Sequence, residues 1–255
     1  MLTVWGRKTS SNVQALMWCI GELDLPCRRI DAGHRHGGLD TSAFQAMNPN
    51  RTIPVLRDGD GPALWETGAI LRYLASTYAG GAFWPDDPVH RAQVDMWAEW
   101  AKLNVAMAFT VPVFWRVVRT APADRDDDAI KRAVAQLEEK LAIADTRLSQ
   151  HPYLAKDRFS LADIQLGHIL FRYYDIDICR GSFPNLRRYY DRLTKRPAYR
   201  QHVMIGYDTL RATCPLKPRP LARNTPCPRR YLPPHKARSA PDHPRTGQSA
   251  LRPSG

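Results

Sequence analysis

The segment Leu2-Thr3-Val4-Trp5-Gly6-Arg7-Lys8-Thr9-Ser10-Ser11-Asn12-Val13, continued by Gln14 to Ile20, decides the fold. Leu2 to Trp5 is a short β-prone run closed by Gly6. Val13, Leu16, Met17 and Ile20 then recur at i, i+3, i+4 and i+7, the spacing of one helical face. Ser10, Ser11 and Asn12 stand just before the first apolar position, where helix caps belong, and Gly21 with Pro26 marks the exit. The order is strand, loop, helix. Cys27 to Ile30 supplies a second strand, and Thr52-Ile53-Pro54-Val55-Leu56 returns to the sheet. Asp58-Gly59-Asp60-Gly61 carries turn chemistry, and Ala63-Leu64-Trp65 completes a hairpin. Glu66-Thr67 opens another amphipathic helix through Ile70, Leu71 and Leu74, so a βαβ unit is followed by ββα.

Strand signals stop after Trp84-Pro85-Asp86-Asp87-Pro88. Pro88 suits a first helical turn, the helix continues through Trp97 and Trp100, and Pro112 should bend it. Ile130, Val134, Leu137, Leu141, Ala144 and Leu148 alternate in steps of four and three, a buried helix face. Ser160-Leu161-Ala162-Asp163 opens a further helix, with Ser160 and Asp163 each satisfying the other's end of the first turn. A final helix is expected from Pro184 towards Arg196, ended by Pro197.

Composition narrows the function classes. With 255 residues, 44% apolar content and seven tryptophans, the chain can bury a substantial core. Its five cysteines form neither a CxxC pair nor a cluster at metal-ligand spacing, so no metal is expected and a reducing, cytoplasmic setting fits. No long apolar core precedes the charges of the N-terminus, and no membrane span is expected. The net charge of +12 suggests nucleic acid until it is located: nine basic residues beyond Thr213 face one acid, Asp242, leaving about +4 for the rest. That segment also holds ten of the 21 prolines and one aromatic, Tyr231. Residues 214–255 are therefore expected to be a disordered Pro/Arg-rich tail, and no nucleic-acid partner is inferred.

Four segments together resemble the landmarks of cytosolic glutathione transferases, with bacterial, theta-like serine-type members the nearest in appearance. They are Trp5-Gly6-Arg7 through Val13, Asn48-Pro49-Asn50-Arg51-Thr52-Ile53-Pro54-Val55-Leu56, Leu64 through Leu74, and Phe159 through Ile164, in that order. The resemblance covers roughly residues 1 to 207. It implies an α/β thioredoxin-like domain over 1–80 that binds glutathione, then an all-α domain over 88–207 with the pocket for a second substrate. It also implies a homodimer, with Arg72 in the helix usually presented at the interface.

The resemblance assigns roles by position. Where thioredoxins carry a cysteine pair, this chain has Ser10-Ser11-Asn12, so glutathione must bring the sulfur. A helix N-terminus with adjacent hydroxyls favours thiolate over thiol. Ser10 or Ser11 is the expected activating group, Thr9 a third possibility, and Asn12 a glutathione contact; simple N-capping accounts for the same residues. Ile53-Pro54 matches the cis-proline element that pairs with the cysteinyl backbone, and Glu66-Thr67 the pair that receives the γ-glutamyl end. A histidine or glutamine that often holds the glycyl carboxylate aligns with Leu39, leaving Arg35, His36 or Arg51 as substitutes. Trp115, Arg116 and Arg119 are expected in the second-substrate pocket, and an inward arginine would suit small anionic electrophiles such as haloacids. A non-catalytic regulatory module and a glutathione-dependent isomerase or disulfide reductase stand as alternatives on the same scaffold.

Overall fold

Apolar residues alternate with half-buried ones through Leu2–Trp5, and this run forms β1 at the centre of a four-stranded sheet. The computed structural model describes residues 1–81 and 83–212; the segment expected to be a tail lies outside the described residues. After β1 come α1 (Ser11–Glu22), β2 (Cys27–Ile30), a short α2 (Ser42–Met47), β3 (Val55–Asp58), β4 (Ala63–Trp65) and α3 (Thr67–Tyr78). The sheet order is β2-β1-β3-β4, with β1 parallel to β2 and antiparallel to β3. The sheet is rejoined at Val55, three residues later than the sequence suggests, because Pro54 offers no N–H and follows a cis Ile53-Pro54 bond. α2 carries too short a pattern to be read in advance.

The register positions the site. Trp5 is opposite Ile30 on one side and Val55 on the other, and Val55 is opposite Trp65. The segments that follow β1, β2 and β4, and the one that precedes β3, therefore all leave the sheet at one end. Ser10 to Asn12, Ile53-Pro54 and Glu66-Thr67, far apart in sequence, are brought to that one end of the sheet.

Helices make up the rest. Asp87 caps α4, its side chain accepting from His90 N–H at 2.8 Å, and Pro88 occupies the first turn. α4 runs over Pro88–Val118. Within it, Ala101–Ala106 and Thr110–Trp115 widen to π-type turns, the second around Pro112, whose missing N–H cannot continue the α ladder. By length and composition this helix would suit a bilayer; here Ala101, Val105, Phe109 and Val113 are buried in the protein core. α5 (Asp127–Gln150) buries all six positions of its four-three repeat. α6 (Leu161–Asp175) opens with the expected Ser160/Asp163 capping box. α7 (Pro184–Leu193) ends earlier than expected, and Pro197 starts α8 (Pro197–His202) rather than stopping a helix, since proline at a first turn sacrifices no internal bond. The chain then packs Tyr207 and Leu210 into the core, and Ala212 N–H donates to the Val118 carbonyl at 2.9 Å.

One apolar core runs from Leu2 to Leu210 through both the sheet region and the helices. Trp18 of α1 is fully buried, its ring centroid 4.7 Å from that of Tyr199 and 5.5 Å from that of Phe159. A Cβ at Gly167 of α6 would lie 2.6 Å from Leu193 and 2.8 Å from Trp18, so only glycine lets α6 approach this closely. Glu22 and Arg196 add an ion pair at 2.6 Å. The N-terminus of α1 is thus held by a rigid support. Cys19 and Cys27 are free thiols.

Candidate active site

Ser10 is the N-cap of α1 in extended conformation, yet its side chain makes no capping hydrogen bond. Ser11 is the first helical residue, and both serines are partly accessible. The two hydroxyls are uncommitted among the described residues, beside N–H groups that a helix start leaves unpaired. Thr9 is buried, and its backbone carbonyl accepts from Arg172 Nη2 at 2.7 Å. Asn12 is already engaged, its Oδ1 accepting from Lys102 Nζ at 2.7 Å.

Ile53 lies beside this loop. A Cβ placed on Gly6 would come 2.5 Å from Val13 and 3.4 Å from Ile53, and Gly6 has φ +155, so glycine lets the two segments close on one another. The Ile53 N–H and carbonyl take no backbone partner among the described residues, leaving an open edge before β3. Glu66 caps α3 with φ 66, a left-handed conformation unusual for a residue with a Cβ, and its carboxylate is exposed; Thr67 behind it is buried. An extended peptide laid along Ile53 would have one end towards the start of α3 and its middle at the start of α1.

The second-loop candidates differ in their freedom. Arg51 pairs with Asp40 at 3.2 Å, both well exposed. Arg35 lies 3.5 Å from the His36 ring nitrogen, and His36 is 3.9 Å from Asp31, whose carboxyl is held low by the hydrogen bond from Arg29. In the helical region Trp115 is partly exposed with the Arg119 guanidinium stacked over its ring at 4.2 Å, while Arg116 is exposed without a side-chain partner among the described residues.

Sequence reasoning missed three cations at this site. Lys102 reaches from the first π-type stretch of α4 to Asn12; burial lowers its pKa, while Glu66 and Glu99 oppose that shift. Arg172, in the middle of α6, is buried with its guanidinium over Phe114 at 4.7 Å, and burial pushes its pKa down to about 10, helped by the charges of Arg7 and Arg119. Arg7 is likewise lowered by burial and by Arg119. An arginine inside the apolar run of α6 is unusual in itself, but neither it nor Lys102 carries a sequence pattern that places it at this loop. Among the described residues no group of three or more His, Cys, Asp or Glu is placed to hold a metal ion.

Known proteins resemble this chain in sequence and fold. Residues 9–77 match the glutathione S-transferase N-terminal domain model and residues 103–197 the C-terminal domain model. Glutathione S-transferase GstB of Escherichia coli is 36% identical over 206 residues, covering 80% of this chain and 99% of that protein. The chain belongs to the glutathione S-transferase family. The transferase fold extends to solved structures: a theta class glutathione S-transferase from Xanthomonas axonopodis pv. citri with glutathione bound is 42% identical, with a TM-score of 0.76, over 80% of this chain and 98% of that one. The disulfide-bond oxidoreductase YghU of Escherichia coli is 30% identical, over 67% of this chain and 61% of that protein. The two-part architecture read from the sequence, a small α/β sheet region followed by helices, is that of the transferase family.

Proposed function

We propose that this transferase binds glutathione along the sheet edge, holds it as the thiolate at the start of α1, and transfers it to a small electrophile. The observation that carries the reading is the meeting of two uncommitted hydroxyls, an open peptide edge and an exposed helix-cap carboxylate at one end of the sheet. Glu66 would face the γ-glutamyl ammonium and the N–H groups at the start of α3 its carboxylate. Ile53 would pair with the cysteinyl backbone. The sulfur loses its proton to solvent, forms a bond to the electrophilic carbon, and the leaving group departs with its electron pair. Lowering a thiol pKa by two units from about 8.5 takes about 2.7 kcal/mol, within the range of a charge-assisted hydrogen bond plus a helix end. Trp115 and Arg119 would border the second-substrate pocket, and haloacids are the narrower substrate class that an arginine there suits.

The test is direct. The protein should be retained on immobilised glutathione and should conjugate 1-chloro-2,4-dinitrobenzene with saturation in glutathione. Disulfide reduction without any conjugation would favour an oxidoreductase instead, the reading to which the likeness to YghU lends support.

We further propose a cytoplasmic homodimer. Val89, Met96, Leu103, Met107 and Val111 are exposed along α4 at steps of seven and four, an apolar stripe on one helical face. Arg72 is committed within the chain, bonding Asp95 at 2.6 Å and also Glu99, so the stripe rather than Arg72 is the better interface candidate. Light scattering at micromolar concentration should give twice the chain mass; a monomer would remove this reading.

A further inference from the structure

One turn of α4 reaches the starts of both helices that border the proposed glutathione site. Glu99 bonds Arg72, and a Cβ on Gly68, in the first turn of α3, would lie 3.7 Å from Glu99 Oε1. Lys102 follows three residues later, in the π-type stretch Ala101–Ala106, and its Nζ donates to Asn12 Oδ1 at 2.7 Å in the first turn of α1.

This ammonium is only partly accessible, and it forms no ion pair among the described residues. The charged and titratable groups around it are otherwise engaged. Glu99 is taken by Arg72, Glu66 is exposed at the head of α3, and His168 of α6 is kept neutral by burial, its pKa lowered to about 3. A cation withdrawn from water without a counter-ion is costly, and an anion arriving beside it offsets that cost.

The same bond fixes Asn12. A lysine ammonium has donors and no acceptor, so the carboxamide must present its oxygen to Lys102. Its NH2 group, on the other side of the amide carbon, then points away from Lys102 and makes no hydrogen bond among the described residues. An apolar residue at position 102 would leave the amide free to turn over. Ser11, one of the two uncommitted hydroxyls, directly precedes Asn12.

We propose that Lys102 is a positioning residue for the glutathione thiolate, acting through Asn12: it holds the carboxamide with its N–H donors free at the first turn of α1 and brings a positive charge to that turn. The sulfur's proton leaves to solvent, and Lys102 neither takes nor gives one. This deepens the transferase reading and rests on it, and it adds to the serine hydroxyls without replacing them.

The test is ultraviolet titration of the thiolate absorbance in the glutathione complex of the full chain, with binding of S-methylglutathione, which has no thiol to ionise, as the control. In Lys102→Met the midpoint should rise by about one pH unit, a tenfold change in the thiolate equilibrium, while affinity for S-methylglutathione stays within about threefold. Lys102→Arg, which keeps charge and donors, should recover most of the shift. Asn12→Ala should move the midpoint in the same direction, and Lys102→Met added to it should shift the midpoint by less than half of what it does alone.

An unchanged midpoint in Lys102→Met would overturn the proposal, as would a loss of S-methylglutathione binding equal to that of glutathione, the mark of a merely structural lysine. Shifts that add in the double variant would show that Lys102 does not act through Asn12. Should Lys102→Met not fold, Asn12→Ala carries the test from the other end of the link, and a parental midpoint there overturns the proposal. A parent protein that binds no glutathione would instead sink the transferase reading itself.

Discussion

Replacing Asp163 by alanine should lower the melting temperature by roughly 10 °C, as expected for a loss of about 3–5 kcal/mol in a fold of this size. The carboxylate is fully buried and accepts four hydrogen bonds: from Leu154 N–H and Ser160 N–H, both at 2.8 Å, from the Tyr189 hydroxyl at 2.9 Å, and from the Ser160 hydroxyl at 3.2 Å. It therefore ties the loop before α6, the start of α6 and the middle of α7 to one point. Alanine would leave these buried donors unsatisfied, which costs more than the bonds themselves are worth. Burial raises the Asp163 pKa to about 6, against an ordinary aspartate value near 3.9. A raised pKa means that the folded state binds more protons in that window. The contribution of this group to stability falls as pH rises from about 4 to 6 and is level above it. The melting temperature of Asp163→Asn, which cannot titrate, should lack this component, so the difference between it and the unmodified protein should narrow as pH rises through the window. An alanine variant that melts within a degree or two of the parent would show that the four bonds do not carry the junction.

Much of this architecture was legible because the signals were local. Ser160 and Asp163 stand three residues apart, and a capping box is a property of one helical turn, so their pairing could be read directly. The face of α5 was equally plain from its repeat. The start of α8 was misread because proline both ends helices and begins them, and the choice at Pro197 depends on whether the next turn has a core to pack against; Ala198 and Tyr199 do. The placement of Ser10, Ile53 and Glu66 followed from strand order, which the βαβ-ββα pattern implies. Lys102 and Arg172 could not be placed by any such rule. Each reaches the loop from the helical region, across 90 and 163 residues of sequence, and a single basic residue at such a distance has no periodicity to announce it. They also bear on Asn12 and Thr9: the Asn12 side-chain oxygen and the Thr9 backbone carbonyl accept from these cations.

The two serine hydroxyls, partly accessible at the start of α1 and without a capping bond from Ser10, are where thiol activation is expected first. Replacing Ser10 and Ser11 separately by alanine should identify one position at which conjugation falls by ten- to a thousandfold, about 1.4 to 4 kcal/mol, with little change in glutathione affinity. The asymmetry follows from where the bond is strongest: a hydroxyl donor gains most from the thiolate and the developing C–S bond, and little from the neutral thiol. From the sequence, the other serine was expected to act as a cap and to lose mainly stability. The Ser10 side chain makes no cap bond, so its alanine variant should instead melt close to the parent, unlike an ordinary cap deletion costing about 1 kcal/mol. The loss of rate would then be free of any loss of fold. Ultraviolet titration of the thiolate absorbance in the glutathione complex is the decisive measurement. The parent should show thiolate at neutral pH, and the critical variant should need a more alkaline solution, by up to about two pH units for a loss of 2.7 kcal/mol. If both single variants and the double variant titrate like the parent, neither hydroxyl activates the sulfur. The N–H groups at the start of α1 and the ammonium of Lys102, reaching the same turn through Asn12, would then carry the charge.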